Sequence, residues 1–132
     1  MTEKYLTIRE MCDAYEVTAR TLRFYEAKEL LFPVREGQKR LFTRRDQARL
    51  KLILRGKRFG FSLEDIRQIL DLYDMEGGEL RQLQVSVQMA EQRVAEMEAQ
   101  RNELATAIDE LKTRIEWGQN TLSANEVKQA AE

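Results

Sequence analysis

The second half of the chain carries an apolar repeat that leaves few ways to fold it. From Leu80 to Ile115 the apolar residues recur in alternating steps of three and four, the a/d pattern of a coiled coil, over about five heptads. A helix over this segment would be about 54 Å long, which is too long to fold back on a small head, so it has to pair with a second chain. The predicted dimerisation residues are Leu80, Leu83, Val87, Ala90, Val94, Met97, Arg101, Leu104, Ile108, Leu111 and Ile115.

One charge interrupts this seam, because Arg101 occupies an a position. Burying a charge costs free energy, so we expect its guanidinium to reach Glu98 or Glu103, or the same acids of the partner chain. Such a pair would fix the register of the two helices. Trp117, just beyond the seam, either caps its end or lines an effector pocket near the partner's head, and the cap is the simpler interpretation.

The two halves of the chain carry opposite charge. Residues 1–60 hold 15 Lys/Arg against 8 Asp/Glu, a net charge of +7, whereas residues 61–132 hold 7 against 15, a net charge of −8. A basic segment favours a polyanionic partner through counterion release, and an acidic segment is repelled by the same partner. A chain of 132 residues has room for about one domain of ordinary size, or for a small domain and one long helix. The two halves are therefore expected to have different tasks.

Cysteine and histidine usage excludes several classes of function. The chain has one cysteine and no histidine, which argues against disulfides, most transition-metal sites and the commonest general base. Cys12 lies among apolar residues, where a lone thiol packs as a small hydrophobe. No signal peptide or membrane span is recognisable, so a cytoplasmic location is predicted. We expect no enzymatic activity, no cofactor, no metal and no membrane contact.

Two short helices are predicted near the N-terminus. Thr7 can cap a helix over residues 8–15, and Glu10 completes a capping box. After the turn at Glu16 and Val17, Thr18 caps a second helix that ends near residue 28. Two short helices joined by a tight turn form a helix-turn-helix.

The second of these helices carries side chains suited to reading DNA. Arg20 and Arg23 each offer a forked pair of donors that matches the acceptor edge of guanine. The hydroxyls of Thr18, Thr21 and Tyr25 can reach phosphates or base edges. The alternative interpretation is a solvated basic face, which the helix-turn-helix setting disfavours.

Three other side chains of the same helix are assigned different roles. Leu22 is predicted to lie in the core. Phe24 could be buried or could act as a wedge against a sugar, since spacing does not separate the two. Glu26 would be repelled by DNA and is expected to pair with a neighbouring arginine.

Residues 30–42 predict a small hairpin or wing, because Gly37 lies between two short apolar segments. Its basic side chains should face the DNA backbone or a minor groove, while Phe42 packs beneath. The wing residues assigned to DNA contact are Arg35, Lys39 and Arg40.

Two more capped helices follow the wing. Thr43 caps a helix that ends at the Gly60 break, and Lys57 and Arg58 at its end fit phosphate contacts. Ser62 caps the next helix, whose free backbone N–H groups form a natural phosphate site. The buried stripe predicted for that helix is Leu63, Ile66, Ile69, Leu70 and Tyr73. A solvated helix face is the preferred interpretation for Arg44, Arg45 and Arg49.

The predicted fold class is mainly all-α: a winged helix-turn-helix head with a small β wing, followed by a long dimerisation helix. The head is assigned to residues 1–74, a hinge to 75–79 and the coiled-coil helix to 80–117. The apolar seam is lost beyond that point, so residues 118–132 are expected to fray.

These motifs, in this order, resemble the MerR family of bacterial transcriptional regulators over residues 5–116. The segments that carry the resemblance are Arg20-Thr-Leu-Arg-Phe-Tyr-Glu26, Lys39-Arg-Leu-Phe42, Gly60-Phe-Ser-Leu-Glu64 and the long terminal helix. Residues 35–40 followed by residues 50–57 are similar to the branch of the family that controls catabolic operons, including leucine and isovalerate utilisation.

The resemblance implies a homodimer joined by an antiparallel coiled coil, with one winged head for each half of a DNA palindrome. It also implies that the protein bends and untwists a promoter spacer so that RNA polymerase can engage both promoter elements. Metal-sensing members carry thiolates where this chain has residues 74–78 and 117–120, so a metal sensor is not expected. By analogy the effector would be a small organic or acyl-thioester metabolite.

A function of another class stays open from the sequence. The chain could be a coiled-coil interaction protein whose basic head binds an acidic protein surface. Steeply salt-dependent binding to DNA, with a preference for one palindrome, would separate the regulator from this alternative.

Overall fold

A computed structural model describes residues 4–131 as five helices and one three-stranded antiparallel sheet, confirming a mainly helical fold with a small wing. The chain forms two compact units, one ending at Ala90 and the other beginning at Glu91. The elements in chain order are β1 (Leu6–Thr7), α1 (Ile8–Tyr15), α2 (Ala19–Ala27), β2 (Val34–Glu36), β3 (Lys39–Phe42), α3 (Arg44–Arg58), α4 (Leu63–Tyr73) and α5 (Gly78–Ala131).

The first four helices begin where the cap residues predicted. The Thr7 hydroxyl accepts from the Glu10 backbone N–H at 3.2 Å, while the Glu10 carboxylate accepts from the Thr7 N–H at 3.0 Å. Thr18, Thr43 and Ser62 accept in the same way from the backbone N–H three residues on. Each cap satisfies a donor that the first helical turn leaves unpaired, which explains why the four boundaries are well defined.

A tight turn joins α1 to α2 and completes the helix-turn-helix. Glu16 adopts the left-handed conformation, with φ of 54°, and ends α1. The next residue, Val17, donates its N–H to the Cys12 carbonyl at 3.2 Å. The chain therefore reverses direction within two residues before Thr18 starts α2.

The predicted wing is the hairpin of β2 and β3, in which Arg35 lies opposite Arg40. Gly37 stands in its turn with φ of 63°, a conformation that glycine adopts without a Cβ penalty. The sheet has a third strand that the sequence did not predict, because Leu6 pairs with Phe42. A strand of two residues is too short to show an alternation of apolar and polar side chains, so only its pairing with β3 defines it.

The core of the head, the part from β1 to α4, receives side chains from each of its helices and from the wing. Cys12 is half-buried and packs against this core as predicted, whereas Tyr73 is 40% exposed and does not belong to the buried stripe. Tyr73 is the last residue of α4 and its ring borders an open hollow. The buried apolar residues are Met11, Leu22, Tyr25, Leu30, Leu31, Phe42, Leu50, Ile53, Ile66 and Leu70.

The long helix α5 begins at Gly78, two residues before the predicted seam. A Cβ at Gly78 would stand 1.8 Å from the Leu72 carbonyl oxygen, so the turn into the helix admits only glycine there. The helix continues to Ala131, and the prediction of a frayed tail is wrong for residues 118–131. Good helix formers such as Ala, Gln, Glu and Lys follow Gly118 and explain the continuation. Residues 1–3 of the predicted head and residue 132 of the predicted tail lie outside the described residues.

The apolar seam of α5 is largely uncovered in the single chain. Leu80 is 74% exposed, Leu104 62% and Ile115 55%, and the other large seam side chains are at least 42% exposed. Arg101 makes no ion pair with its neighbouring glutamates within residues 4–131, so its predicted partner stays a prediction. No helix in this part of the chain is long and apolar enough to cross a membrane.

Candidate nucleic-acid interface

Helix α2 has one buried face and one charged face. Leu22 has no exposed surface and Tyr25 is 5% exposed, so these two residues anchor the helix in the core. Arg20 and Arg23 lie on the exposed side. Neither arginine has an ion-pair partner within residues 4–131. Two guanidinium groups are thus held on a fixed helix with their donors available.

The two threonines of this helix lie together at its N-terminal end. The Thr18 hydroxyl accepts from the Thr21 N–H at 3.1 Å, and the two hydroxyl oxygens are 2.9 Å apart. Thr18 therefore has a structural role as the helix cap. Its side chain is also exposed, which is compatible with the predicted phosphate contact.

Tyr25 combines a buried ring with an accessible hydroxyl. Burial raises the pKa of its phenol, so the group stays neutral at physiological pH. In the described part of the chain no buried polar side-chain atom lacks a hydrogen-bond partner, and no bond of the Tyr25 hydroxyl is present. The hydroxyl consequently reaches the surface, and it is the part of Tyr25 that could contact DNA.

Phe24 lies on the outer side of α2, and the buried alternative for it is wrong. Its ring is 45% exposed, and the Lys28 ammonium stands 5.6 Å from the ring centroid. The ring and the cation are within the range of a cation–π contact. The wedge interpretation of Phe24 stays a prediction.

A single carboxylate joins the wing to α2. Glu26 accepts from the Arg40 Nε at 2.7 Å, and its second oxygen lies 3.5 Å from the Arg35 Nε. This confirms that Glu26 pairs with neighbouring arginines. The Arg40 side chain is 21% exposed and that of Arg35 51% exposed, and Lys39, the first residue of β3, is also exposed. Phe42 is fully buried beneath the wing, as predicted.

The end of α3 and the start of α4 form the third basic region. Lys57 and Arg58 are exposed in the last turn of α3, where cations also interact favourably with the helix dipole. The phosphate site at the start of α4 stays a prediction. Ser62 uses its hydroxyl as a cap, and Glu64 and Asp65 place two carboxylates in the first turn.

Arg49 overturns the prediction of a solvated helix face for this residue. It is 2% exposed, donates its Nε to the Leu30 carbonyl at 2.7 Å and its Nη1 to Asp74 Oδ2 at 3.1 Å. Burial lowers the pKa of its guanidinium, and the Asp74 charge partly offsets this effect. Arg45, although exposed, forms an ion pair with the same Asp74 carboxylate.

A signal for the burial of Arg49 was present in the sequence. Asp46, Arg49, Leu50 and Ile53 follow the three and four residue spacing of one helix face, and all four are buried. An arginine on an apolar stripe needs partners from elsewhere in the chain. The two partners, the carbonyl of Leu30 and the carboxylate of Asp74, are 19 and 25 residues away in sequence.

The fold and these side chains define a class of protein, the winged helix-turn-helix transcriptional regulator. Two family models match the chain, "MerR HTH family regulatory protein" over residues 6–73 and "MerR, DNA binding" over residues 47–114. The HTH-type transcriptional regulator ZntR of Escherichia coli (strain K12) is 36% identical over 104 residues, which cover 74% of each chain. The chain belongs to the MerR family.

Solved structures of the same family share the fold. The crystal structure of HiNmlR, a MerR family regulator lacking the sensor domain and bound to promoter DNA, superposes with a TM-score of 0.58 at 26% identity and covers 80% of each chain. PbrR691 from Ralstonia metallidurans CH34, in complex with lead(II), gives a TM-score of 0.52 at 30% identity over 75% of this chain and 82% of its own. Regulators of this family are DNA-binding transcription factors and not enzymes. The alternative of a head that binds an acidic protein is not favoured.

Proposed function

We propose that this chain binds promoter DNA as a homodimer in the bacterial cytoplasm and controls transcription from that promoter. The α2 helix of each copy would enter the major groove at one half of a palindrome, and the wing would lie on the flanking backbone. The observation that carries this proposal is the pair Arg20 and Arg23, exposed and without ion pairs in residues 4–131, on a helix anchored by Leu22 and Tyr25. HiNmlR, which shares this fold, is bound to promoter DNA in its crystal structure.

The exposed seam of α5 supports the dimer. A fully buried leucine or isoleucine side chain contributes about 1.5–3 kcal/mol relative to an exposed one. Leu104, Ile108 and Leu111 keep between 42% and 63% of their surface exposed in the single chain, so a second copy has much apolar area to cover. An antiparallel coiled coil would place one head at each end of the pair.

The contact with RNA polymerase would be indirect, through the shared promoter. Exposed basic side chains such as Lys57, Arg58 and Lys39 can bind phosphates on the outer turns of the site. Phosphate contacts supply the free energy that bends and untwists the spacer between the two promoter elements. The regulator would thus act on polymerase by changing the shape of the DNA.

An effector, in this proposal, is a small organic molecule or acyl thioester. PbrR691 binds lead(II) in its structure, but the single thiol of this chain, Cys12, packs half-buried on α1. A cavity of about 180 Å³ among Leu52, Phe61 and Ile69 would accept a small apolar group, with Arg55 and Ser86 at its edge. Membership of the branch that controls catabolic operons also stays a prediction.

Footprinting of genomic DNA with the purified full chain tests the core of the proposal. We expect protection of a palindrome, with an affinity that falls steeply as salt rises. Absence of a protected site at low salt would contradict the proposal. Run-off transcription from templates whose promoter spacer is shortened by one or two base pairs tests the distortion mechanism, because a shorter spacer should remove the dependence on the regulator. Unchanged dependence would argue for direct contact with polymerase.

A further inference from the structure

A partly buried ionic cluster connects the segment after α2 to Asp74, the C-cap residue of α4. We call helix α5, which begins at Gly78, the stem. Arg49 has 2% of its surface exposed, and its guanidinium spans two separate segments. The Nε donates to the Leu30 carbonyl at 2.7 Å, and the Nη1 donates to Asp74 Oδ2 at 3.1 Å. Arg45 pairs with the same Asp74 oxygen. We call these four groups, the two arginines, Asp74 and the Leu30 carbonyl, the Arg49 clamp.

One end of the clamp is attached to α2. Glu29 takes a left-handed conformation, with φ of 59°, directly after the helix, and the Leu30 N–H donates to the Tyr25 carbonyl at 2.9 Å. Leu30 itself is fully buried. Its carbonyl is therefore rigidly connected to the helix that carries Arg20 and Arg23.

The other end of the clamp lies at the end of α4, a short turn before the stem. Asp74 is the C-cap residue of α4, and only Met75, Glu76 and Gly77 separate it from the first residue of α5. The Gln82 side chain of α5 also donates to the Ile69 carbonyl of α4 at 2.9 Å. The Gln82 bond holds the beginning of the stem against α4, and the ion pairs of Asp74 hold the end of α4 against α3.

A guanidinium in this position is not explained by stability alone. A buried ion pair commonly contributes less than well-packed apolar side chains of the same volume, because both charges lose their hydration. The ion pair does restrict geometry, because a planar guanidinium donates hydrogen bonds only in fixed directions. The clamp therefore fixes the C-cap of α4 relative to the segment that follows α2, and the Gln82 bond ties the beginning of α5 to α4.

We propose that the Arg49 clamp sets the separation between half-sites that the dimer accepts, with Asp74 as the positioning residue. This inference rests on the proposed binding of a palindrome by a homodimer. Each added base pair moves one half-site by about 3.4 Å and rotates it by about 35°, as follows from roughly 10 base pairs per turn. A dimer whose reading helices are held against the first turns of α5 can follow such a change only by deforming DNA or itself.

Asp74→Ala tests the proposal, with Asp71→Ala as the matched control. Asp71 lies one turn earlier in α4, is exposed and makes no ion pair within the described residues. Its charge also acts on the Arg49 guanidinium, so its removal controls for the loss of a nearby negative charge without loss of the ion pair. Binding is measured on duplexes that carry the half-sites selected by the parent protein from random DNA. Their separation is changed in steps of one base pair, and a duplex with one half-site serves as reference.

We expect the parent and Asp71→Ala to lose about tenfold or more in affinity for each step away from the preferred separation. Asp74→Ala should lose less than about threefold per step, while its affinity for the single half-site stays within about twofold of the parent. An Asp74→Ala protein with the parental preference, or with all affinities lowered equally, would overturn the proposal. A parent protein that shows no preference for paired half-sites would refute the proposed palindrome binding as well.

If thermal unfolding shows that Asp74→Ala does not fold, Arg45→Ala decides the question. Arg45 is 57% exposed, so its removal loosens Asp74 while the buried contacts of Arg49 remain. A weaker separation preference in Arg45→Ala, at unchanged midpoint of unfolding, supports the clamp. A parental preference in that variant overturns it.

Discussion

In the head, Leu50 of α3 has no exposed surface, whereas Leu104 of α5 is 62% exposed in the single chain. Both are leucines on an apolar helix stripe, but the stripe of α3 is covered by other elements of the same chain. The stripe of α5 has no such cover within the described residues. The head thus completes its core from its own chain, whereas the apolar face of the stem is left for a partner, which in our proposal is a second copy.

The largest effect that this comparison predicts is the loss of the dimer. Leu104→Asp would bury a carboxylate in the seam, at a cost of about 3 kcal/mol or more, and we expect monomers in sedimentation at micromolar concentration. Thr106→Asp is the control, since Thr106 is exposed and two residues off the seam. An intact Leu104→Asp dimer would show that the seam is assigned wrongly.

A truncation in the head should act differently from one in the stem. Leu50→Ala leaves a cavity in a closed core and should lower the free energy of unfolding by about 2–5 kcal/mol. Denaturant titration of the head transition should give the same loss at all protein concentrations. Lys51→Ala, on the exposed side of α3, should change the midpoint little. A loss for Leu50→Ala that disappears at high protein concentration would mean that the head core also depends on the partner.

Within the head, two exposed cations should differ in what they recognise. Arg23→Ala should lower affinity for the specific site by about 1–3 kcal/mol and reduce the advantage over random DNA, because α2 is proposed to read bases. Lys57→Ala should weaken both kinds of binding alike and reduce the salt dependence, because it is proposed to contact phosphate. Titrations on both duplexes at several salt concentrations measure this. Equal losses for Arg23→Ala on the two duplexes would exclude a role in base recognition.

The smallest predicted effect concerns the first helix cap. Hydrogen bonds from the backbone and the side chain of Thr7 lower the pKa of Glu10. A carboxyl group with a lowered folded-state pKa stabilises the fold above its unfolded-state pKa, and this contribution is lost as the pH falls through the folded-state value. Glu10→Gln should therefore be slightly less stable than the parent near neutral pH, with a difference that vanishes in acid. A stability difference between Glu10→Gln and the parent that does not change with pH would exclude a contribution from the ionised Glu10 carboxylate.

Local chemistry explains what could be predicted from the sequence. The starts of α1 to α4 follow from Thr7, Thr18, Thr43 and Ser62, since a cap needs only the residue and the N–H groups that follow it. The heptad spacing predicted the apolar face of α5, because this pattern also depends only on residues that are close together in sequence. The predicted DNA contacts of the head, such as Arg20 and Arg23, remain predictions, and the structure shows only that their side chains are exposed.

Contacts between distant segments explain what was missed. Strand β1 is defined by the pairing of Leu6 with Phe42. Two residues are too few to show the alternation of apolar and polar side chains that predicts a strand. Arg49 was assigned to solvent because a charge on a helix is usually exposed, while its partners come from the end of α2 and the end of α4. The helical continuation to Ala131 was missed because loss of the seam was taken as loss of the helix.

The Glu26 carboxylate, which binds both Arg40 and Arg35, changes how the charge of the wing should be counted. Two guanidinium groups share one carboxylate, so the cluster carries one net positive charge before DNA arrives. A phosphate that binds either arginine competes with Glu26, which is anchored on the helix that would read the bases. Binding of one phosphate to the wing would then also change the contacts of Glu26 on the reading helix. Fewer counterions would be released than a count of basic residues implies.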